Sequence, residues 1–164
     1  KNFLFFHYKH NLFSNLLGWS LYDIDNLLIF FEKKNINVMF SSELNNKVIN
    51  DHFLKKYNSF DFNNNTKKTI NKNGIFFLKD VEGQQLFDLV KKANIVVAPE
   101  GIITHIAYFL KRPILALLHF NLNNKQDFIN QIISCKGWFP PSEYKFTVLK
   151  KDFKKSFNKL DKRI

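Results

Sequence analysis

Short apolar runs of strand length alternate with stretches of helical period along this chain, and few architectures accept that pattern. Phe3–Tyr8, Ile36–Ser41, Gly74–Leu78, Asn94–Ala98, Ile114–Leu118 and Tyr144–Leu149 read as strands. Between and after them come helical stretches. Ser20-Leu21-Tyr22-Asp23 has the form of a capping box and opens a helix with Leu21, Ile24, Leu28 and Phe31 on one face. A weaker helix is expected over Glu43–Tyr57, and stronger ones over Glu82–Lys92 and Glu100–Lys111, the latter stopped by Pro113. Lys125–Ser134 and Asp152–Lys162 also read as helical. Asn94–Ala98 is apolar after its first residue, as expected of a strand covered on both faces. The alternation predicts an α/β fold with right-handed crossovers and a mostly parallel sheet of about six strands in spatial order 3-2-1-4-5-6, with helices on both faces. The asparagine-rich stretch Asn58–Asn73 reads as a surface loop, and Trp138–Pro141 as a structured loop before the last strand.

At 164 residues the chain suits a single domain, residues 1–164, large enough to bury a core without covalent staples. Cys135 is its one cysteine, which excludes an intrachain disulfide and fits a reducing, cytoplasmic setting. No apolar run approaches the ~18 residues of a membrane span. The net charge of +11 implies an anionic partner, a phosphorylated ligand, a nucleic acid or acidic lipid, although AT-rich coding, which enriches Lys, Asn, Phe and Ile, is an equally open reading of much of it. Arg112 and Arg163 are the only arginines. Arginine is the usual bidentate reader of bases, so sequence-specific nucleic-acid recognition is not expected.

Ligands of open parallel sheets bind beyond the carboxyl ends of the strands. The segments in question are His7–Lys9, Ser41–Glu43, Leu78–Val81, Pro99–His105 and His119-Phe120, and none carries a dinucleotide or P-loop fingerprint. Pro99-Glu100-Gly101-Ile102-Ile103-Thr104-His105 stands apart because it leaves a buried strand and enters a helix. Its first amides therefore face the crevice and suit a phosphate. Gly101 lets a ligand approach the backbone. His105 lies one helical turn on, where its imidazole can lean back over the first turn, while Ile102, Ile103, Ile106 and Leu110 are expected to pack in the core. Glu100 would repel a phosphate beside it and suits sugar hydroxyls better. A plainer reading is also open, with Glu100 complementing the helix dipole and His105 a satisfied, half-buried histidine.

From Gly74 to Leu118 the chain runs strand, loop, Glu82-Gly-Gln-Gln-Leu86, a helix closing on Ala93, strand, Pro99-Glu100-Gly101-x-x-x-His105-x-Ala107, helix, Pro113, strand. That stretch resembles the donor-binding domain of heptosyltransferase-like glycosyltransferases, glycosyltransferase family 9. The resemblance implies one Rossmann-like three-layer α/β/α half of a GT-B fold, with an acceptor domain expected before Lys1. It implies that Glu100 binds the donor sugar. It further implies that Gly101, Ile102, Ile103, Thr104 and His105 attend the diphosphate, and that Leu78 and Val81 lie beside the nucleobase. Family members commonly carry a basic residue near the aromatic of the first strand–helix loop; Leu17-Gly18 precede Trp19 in this chain, so Lys9 is the nearby basic substitute. His119 stands where the family often has glycine. His7, His10 and His119 are candidates for the cleft, but none is a good candidate for the catalytic base, which the resemblance assigns to the missing domain.

The resemblance thus implies a nucleotide-diphosphate sugar as ligand, a cell-envelope glycan or glycolipid of lipopolysaccharide type as acceptor, and no cofactor. No metal is expected, since helix amides, Lys9 and His105 could stabilise the leaving diphosphate. The alternative is a non-catalytic α/β binding module, either a degenerate transferase half or a nucleic-acid-associated domain. In the tail, Phe153, Phe157, Leu160 and Ile164 recur at helical spacing among lysines. Two readings stay open: a helix lying on the inner membrane face, or one packing its stripe on the sheet or the missing domain.

Overall fold

The computed structural model describes residues 2–10, 13–14, 18–43, 46–70, 74–99, 101–117 and the strand 144–147. It is a Rossmann-like three-layer α/β/α fold built on an eight-stranded sheet. Strand β1 is Leu4–Tyr8, followed by helix α1 (Leu21–Lys33), β2 (Val38–Ser42), α2 (Lys47–Lys56), β3 (Asn58–Asp61) and β4 (Thr66–Lys68). Then come β5 (Ile75–Lys79), α3 (Gly83–Lys92), β6 (Ile95–Pro99), α4 (Ile102–Phe109), β7 (Ile114–Leu117) and β8 (Tyr144–Thr147). The strand order is β4-β3-β5-β2-β1-β6-β7-β8. All pairings are parallel except β3 with β4.

The expected six-strand order appears intact within this sheet as β5-β2-β1-β6-β7-β8, with Ile95–Ala98 between two partners rather than at an edge. The expectation of a surface loop over Asn58–Asn73 is corrected. Asn58–Asp61 forms β3 alongside β5, and Thr66–Lys68 folds back as the antiparallel β4. β3 is buried although polar, because its side chains are satisfied: the Ile70 amide donates to Asn58 Oδ1 at 2.8 Å, and Lys79 donates to Asp61 at 2.7 Å. The exposed Thr66-Lys67-Lys68 blunts the edge with charge.

Alternating side chains of each strand enter two cores. Leu4, Phe6 and Tyr8 of β1 join Ile24, Leu28 and Phe31 of α1 and Phe53 of α2 on one face. Phe3 and Phe5 join Val90 of α3 and Ile103 and Ala107 of α4 on the other. Phe53 docks α2 edge-on against Phe40 of β2, ring centroids 5.0 Å apart, and lies 5.3 Å from Phe77 of β5. Helix α1 starts at the expected capping box: the Asp23 amide donates to Ser20 Oγ at 3.3 Å and the Ser20 amide to Asp23 at 2.9 Å. Trp19, just before it, is a core residue packed edge-on against Phe13. The expected helices Lys125–Ser134 and Asp152–Lys162, the Trp138–Pro141 loop, Glu100 and His119 lie outside the described residues. No helix among the described residues is long and apolar enough to cross a membrane.

Candidate anion site at the switch point of the sheet

The chain order reverses between β1 and β6, the position at which an open α/β sheet forms its ligand crevice. The register marks the opening. β1 stays paired with β2 as far as Tyr8↔Ser42, and β6 with β7 as far as Pro99↔Leu117, but β1 and β6 pair only to Phe6↔Val97. Past that point the two strands part.

Lys9 follows β1 and Gly101 caps α4, one on each side of the opening. A Cβ at Gly101 would lie 3.4 Å from Lys9 Nζ, so the ammonium passes directly over the glycine. Gly101 has φ +148, a conformation that side chains rarely tolerate, so the backbone shape calls for glycine, while Lys9 Nζ at 3.4 Å would be an ordinary contact for a Cβ. Lys9 is half-buried and has no carboxylate partner among the described residues. Thr104 is wholly buried: its hydroxyl donates to the Gly101 carbonyl at 2.6 Å, its amide donates to the same oxygen at 3.0 Å, and the Gly101 amide donates back to its Oγ1 at 3.3 Å. Thr104 therefore builds the cap. The His105 amide also donates to the Gly101 carbonyl. The amides of Ile102 and Ile103 remain without hydrogen-bond partners among the described residues, at the positive end of α4 and beside Lys9.

His105 is exposed on α4, whereas Ile103 and Ala107 face the core. Ile102 was expected to pack with them and instead is 61% exposed. The inward turn of this short helix is taken by Ile103, Thr104 and Ala107, which leaves Ile102 on the outer side.

His7 lies just below the opening, buried, with Nδ1 2.9 Å from Ser41 Oγ on β2. Burial, and then the charge of Lys9, hold its pKa down at about 3, so the imidazole is neutral and far too weakly basic to take a proton at neutral pH. Tyr8 OH contacts His10 Nδ1 at 2.9 Å; burial, and then the charge of Glu43, push the phenol up to about 12. Leu78 and Val81 are both buried. Leu78 sits in register with Ser41, so β2 separates it from β1 and neither residue borders the β1/β6 opening. Lys9, Gly101, Ile102 and Ile103 are thus brought together at the opening, with His7 beneath them.

Two polar clusters escaped the reading of the sequence. Asp25, buried in α1, accepts from His52 Nε2 at 3.1 Å, from Tyr57 OH at 2.8 Å and from Lys56 Nζ, which clamps α2 to α1. A lone aspartate on an apolar helix face was the signal. Asp61 accepts from Lys79 and from the amides of Asn63 and Asn64 at the ends of β3 and β5, and Lys79 also pairs with Asp80 at 3.1 Å. With Asp23 in its cap and Asp25 in its cluster, both carboxylates of the Asp23-Ile24-Asp25 triplet are engaged within the fold.

The sequence matches no protein-family profile and no curated protein.

Proposed function

We propose that the β1/β6 opening binds a nucleotide-diphosphate sugar, and that this chain is the donor-binding half of a glycosyltransferase acting at the inner face of the cell envelope. The observation that carries the reading is the Lys9 ammonium over Gly101, beside two open amides at the start of α4. A cation and preorganised amides are the groups that stabilise charge as it develops on a departing diphosphate. In the transfer, the bond from the anomeric carbon to the diphosphate oxygen breaks. The acceptor hydroxyl oxygen bonds to that carbon, and its proton passes to a base on the acceptor domain. The neutral, buried His7 does not supply that base. Glu100, next to Gly101 in sequence, is assigned to the sugar hydroxyls and the exposed His105 to the diphosphate, as the family resemblance implies.

Titration with ADP- and UDP-sugars, and with the free diphosphates, tests the reading. Lys9→Met should weaken sugar nucleotide and free diphosphate alike, by roughly ten- to a hundredfold for a lost charge-assisted bond. Glu100→Gln should weaken only the sugar nucleotide. Absence of any nucleotide-sugar affinity, together with salt-sensitive RNA binding, would replace this reading with that of a non-catalytic binding module.

A further inference from the structure

Every helix of a parallel α/β fold runs back against its strand, so all helix C-termini gather at the end of the sheet where the strands begin. Among the described residues each of those ends carries a basic pair. Helix α1 closes on Lys33-Lys34 and α2 on Lys55-Lys56. Helix α3 closes on Lys91-Lys92, and Lys111-Arg112 leads from α4 into β7. All are exposed except the half-buried Arg112, and Lys56 is tied to Asp25. Acidic side chains collect at the opposite end: Asp23 at the start of α1, Glu43 after β2, Asp61 and Asp80 at the ends of β3 and β5, and Glu82 before α3. Glu32 is the acidic residue in the last turn of α1. The pairs precede strands β2, β3, β6 and β7, so they span five strand spacings, about 24 Å. Favourable contact with a helix dipole accounts for a cation at each end but not for exposed apolar groups among them. Phe109 is 77% exposed and Tyr108 45% exposed at the end of α4, and Ile29 is 41% exposed on α1 one turn before Lys33.

We propose that this basic end is a docking surface for an anionic lipid bilayer, with Phe109 entering the headgroup region. Charge complementarity selects the partner. Seven of the eight cations are lysines, point charges suited to a diffuse anionic surface, whereas reading a nucleic acid favours the bidentate arginine fork. The pairs flank the sheet on both sides across a broad end, and exposed aromatic and aliphatic groups stand among them, as at a membrane interface. This surface lies at the opposite end of the strands from the β1/β6 opening, so it stands or falls independently of the donor-site reading.

The experiment is flotation of the full chain with phosphatidylcholine vesicles, with and without phosphatidylglycerol. Binding should require the anionic lipid, disappear when salt is raised to ~0.5 M, and persist with a saturating sugar nucleotide. Neutralising Lys33, Lys34, Lys91 and Lys92 to Gln should lower affinity by roughly fivefold per lysine that meets the surface. Phe109→Ser should weaken it further, while Lys47→Gln at the other end should leave it unchanged. Circular dichroism checks that these exposed-site variants remain folded. No binding to anionic vesicles, an equal loss in Lys47→Gln, or tighter binding to a single-stranded RNA than to the vesicles would each overturn the proposal.

Discussion

His7 makes stability depend on pH in a way that can be worked out from its surroundings. In the folded chain it is buried under the β1/β6 opening with a pKa of about 3, whereas an unfolded histidine titrates near 6.5. Between those values the unfolded chain binds a proton that the folded chain refuses. Stability is therefore full above the unfolded value and falls as pH drops below it, levelling only near the folded one. Each pH unit inside that window is worth about 1.4 kcal/mol, so moving to pH ~5 should cost about 2 kcal/mol from this side chain alone. Urea unfolding followed by circular dichroism at pH ~7.5 and pH ~5 measures the loss. His7→Gln keeps a polar group opposite Ser41 and removes the proton site; whatever it does to absolute stability, it should flatten the slope by one proton. Other histidines contribute equally to both proteins and cancel in the comparison. Identical slopes in wild type and variant would show that His7 is protonated in the folded chain, and the account of its burial would be refuted.

Other perturbations separate the cap, the clamp and the sheet edge. Gly101→Ala should lower stability by roughly 1–3 kcal/mol through its backbone conformation and weaken diphosphate binding by distorting the start of α4, read by thermal melting and titration. Asp25→Ala leaves Tyr57 OH, His52 and Lys56 without their shared acceptor and should cost about 3 kcal/mol, whereas Tyr57→Phe should cost about 1 kcal/mol in the same urea assay. Burial raises the Asp61 pKa, but the bonds from Lys79 and Asn64 outweigh it and hold the carboxyl at about 2. Its contribution is thus present above the unfolded value near 3.8 and lost as pH falls towards 2, so Asp61→Asn should remove part of the acid-unfolding transition in that range.

The six-strand order was legible because apolar runs and helical periods alternate in phase with the fold, and because crossover handedness leaves few ways to lay them side by side. β3 was not, since hydropathy reports a strand only when its side chains are buried by being apolar. Asn58 and Asp61 are buried by being hydrogen-bonded, to groups such as the Ile70 amide and Lys79 that become neighbours only after folding. The helix start at Gly101 could be read from the strand–helix transition, and Lys9 from its place after the first strand. The exposure of Ile102 could not, because a helix of two turns holds too few residues for periodicity to orient its first position. The Asp25 clamp joins residues 27 to 32 positions apart, and nothing local in α1 announces its donors.

The topology also reassigns the meaning of the net charge. A balance of +11 suggests an anionic ligand, and it is tempting to place that charge around the ligand site. Parallel strands do not permit so direct a step. They send every helix N-terminus to the end bearing the β1/β6 opening, where carboxylates are favoured, and every C-terminus to the other, where lysines are. At the opening the described residues supply one uncommitted ammonium, Lys9, with the dipole and open amides of α4, while Lys79 at the same end is held between Asp61 and Asp80. An anion bound there is recognised by backbone groups and a single cation, a short-range arrangement in a half-buried place that salt screens weakly. The lysine pairs at the far end are exposed and spread over several Debye lengths at physiological salt, so whatever they bind must be extended and salt-sensitive. Raising the ionic strength should therefore release the extended partner while leaving most of the affinity for a small phosphorylated ligand, and the two kinds of binding can be told apart in one salt titration of a single sample.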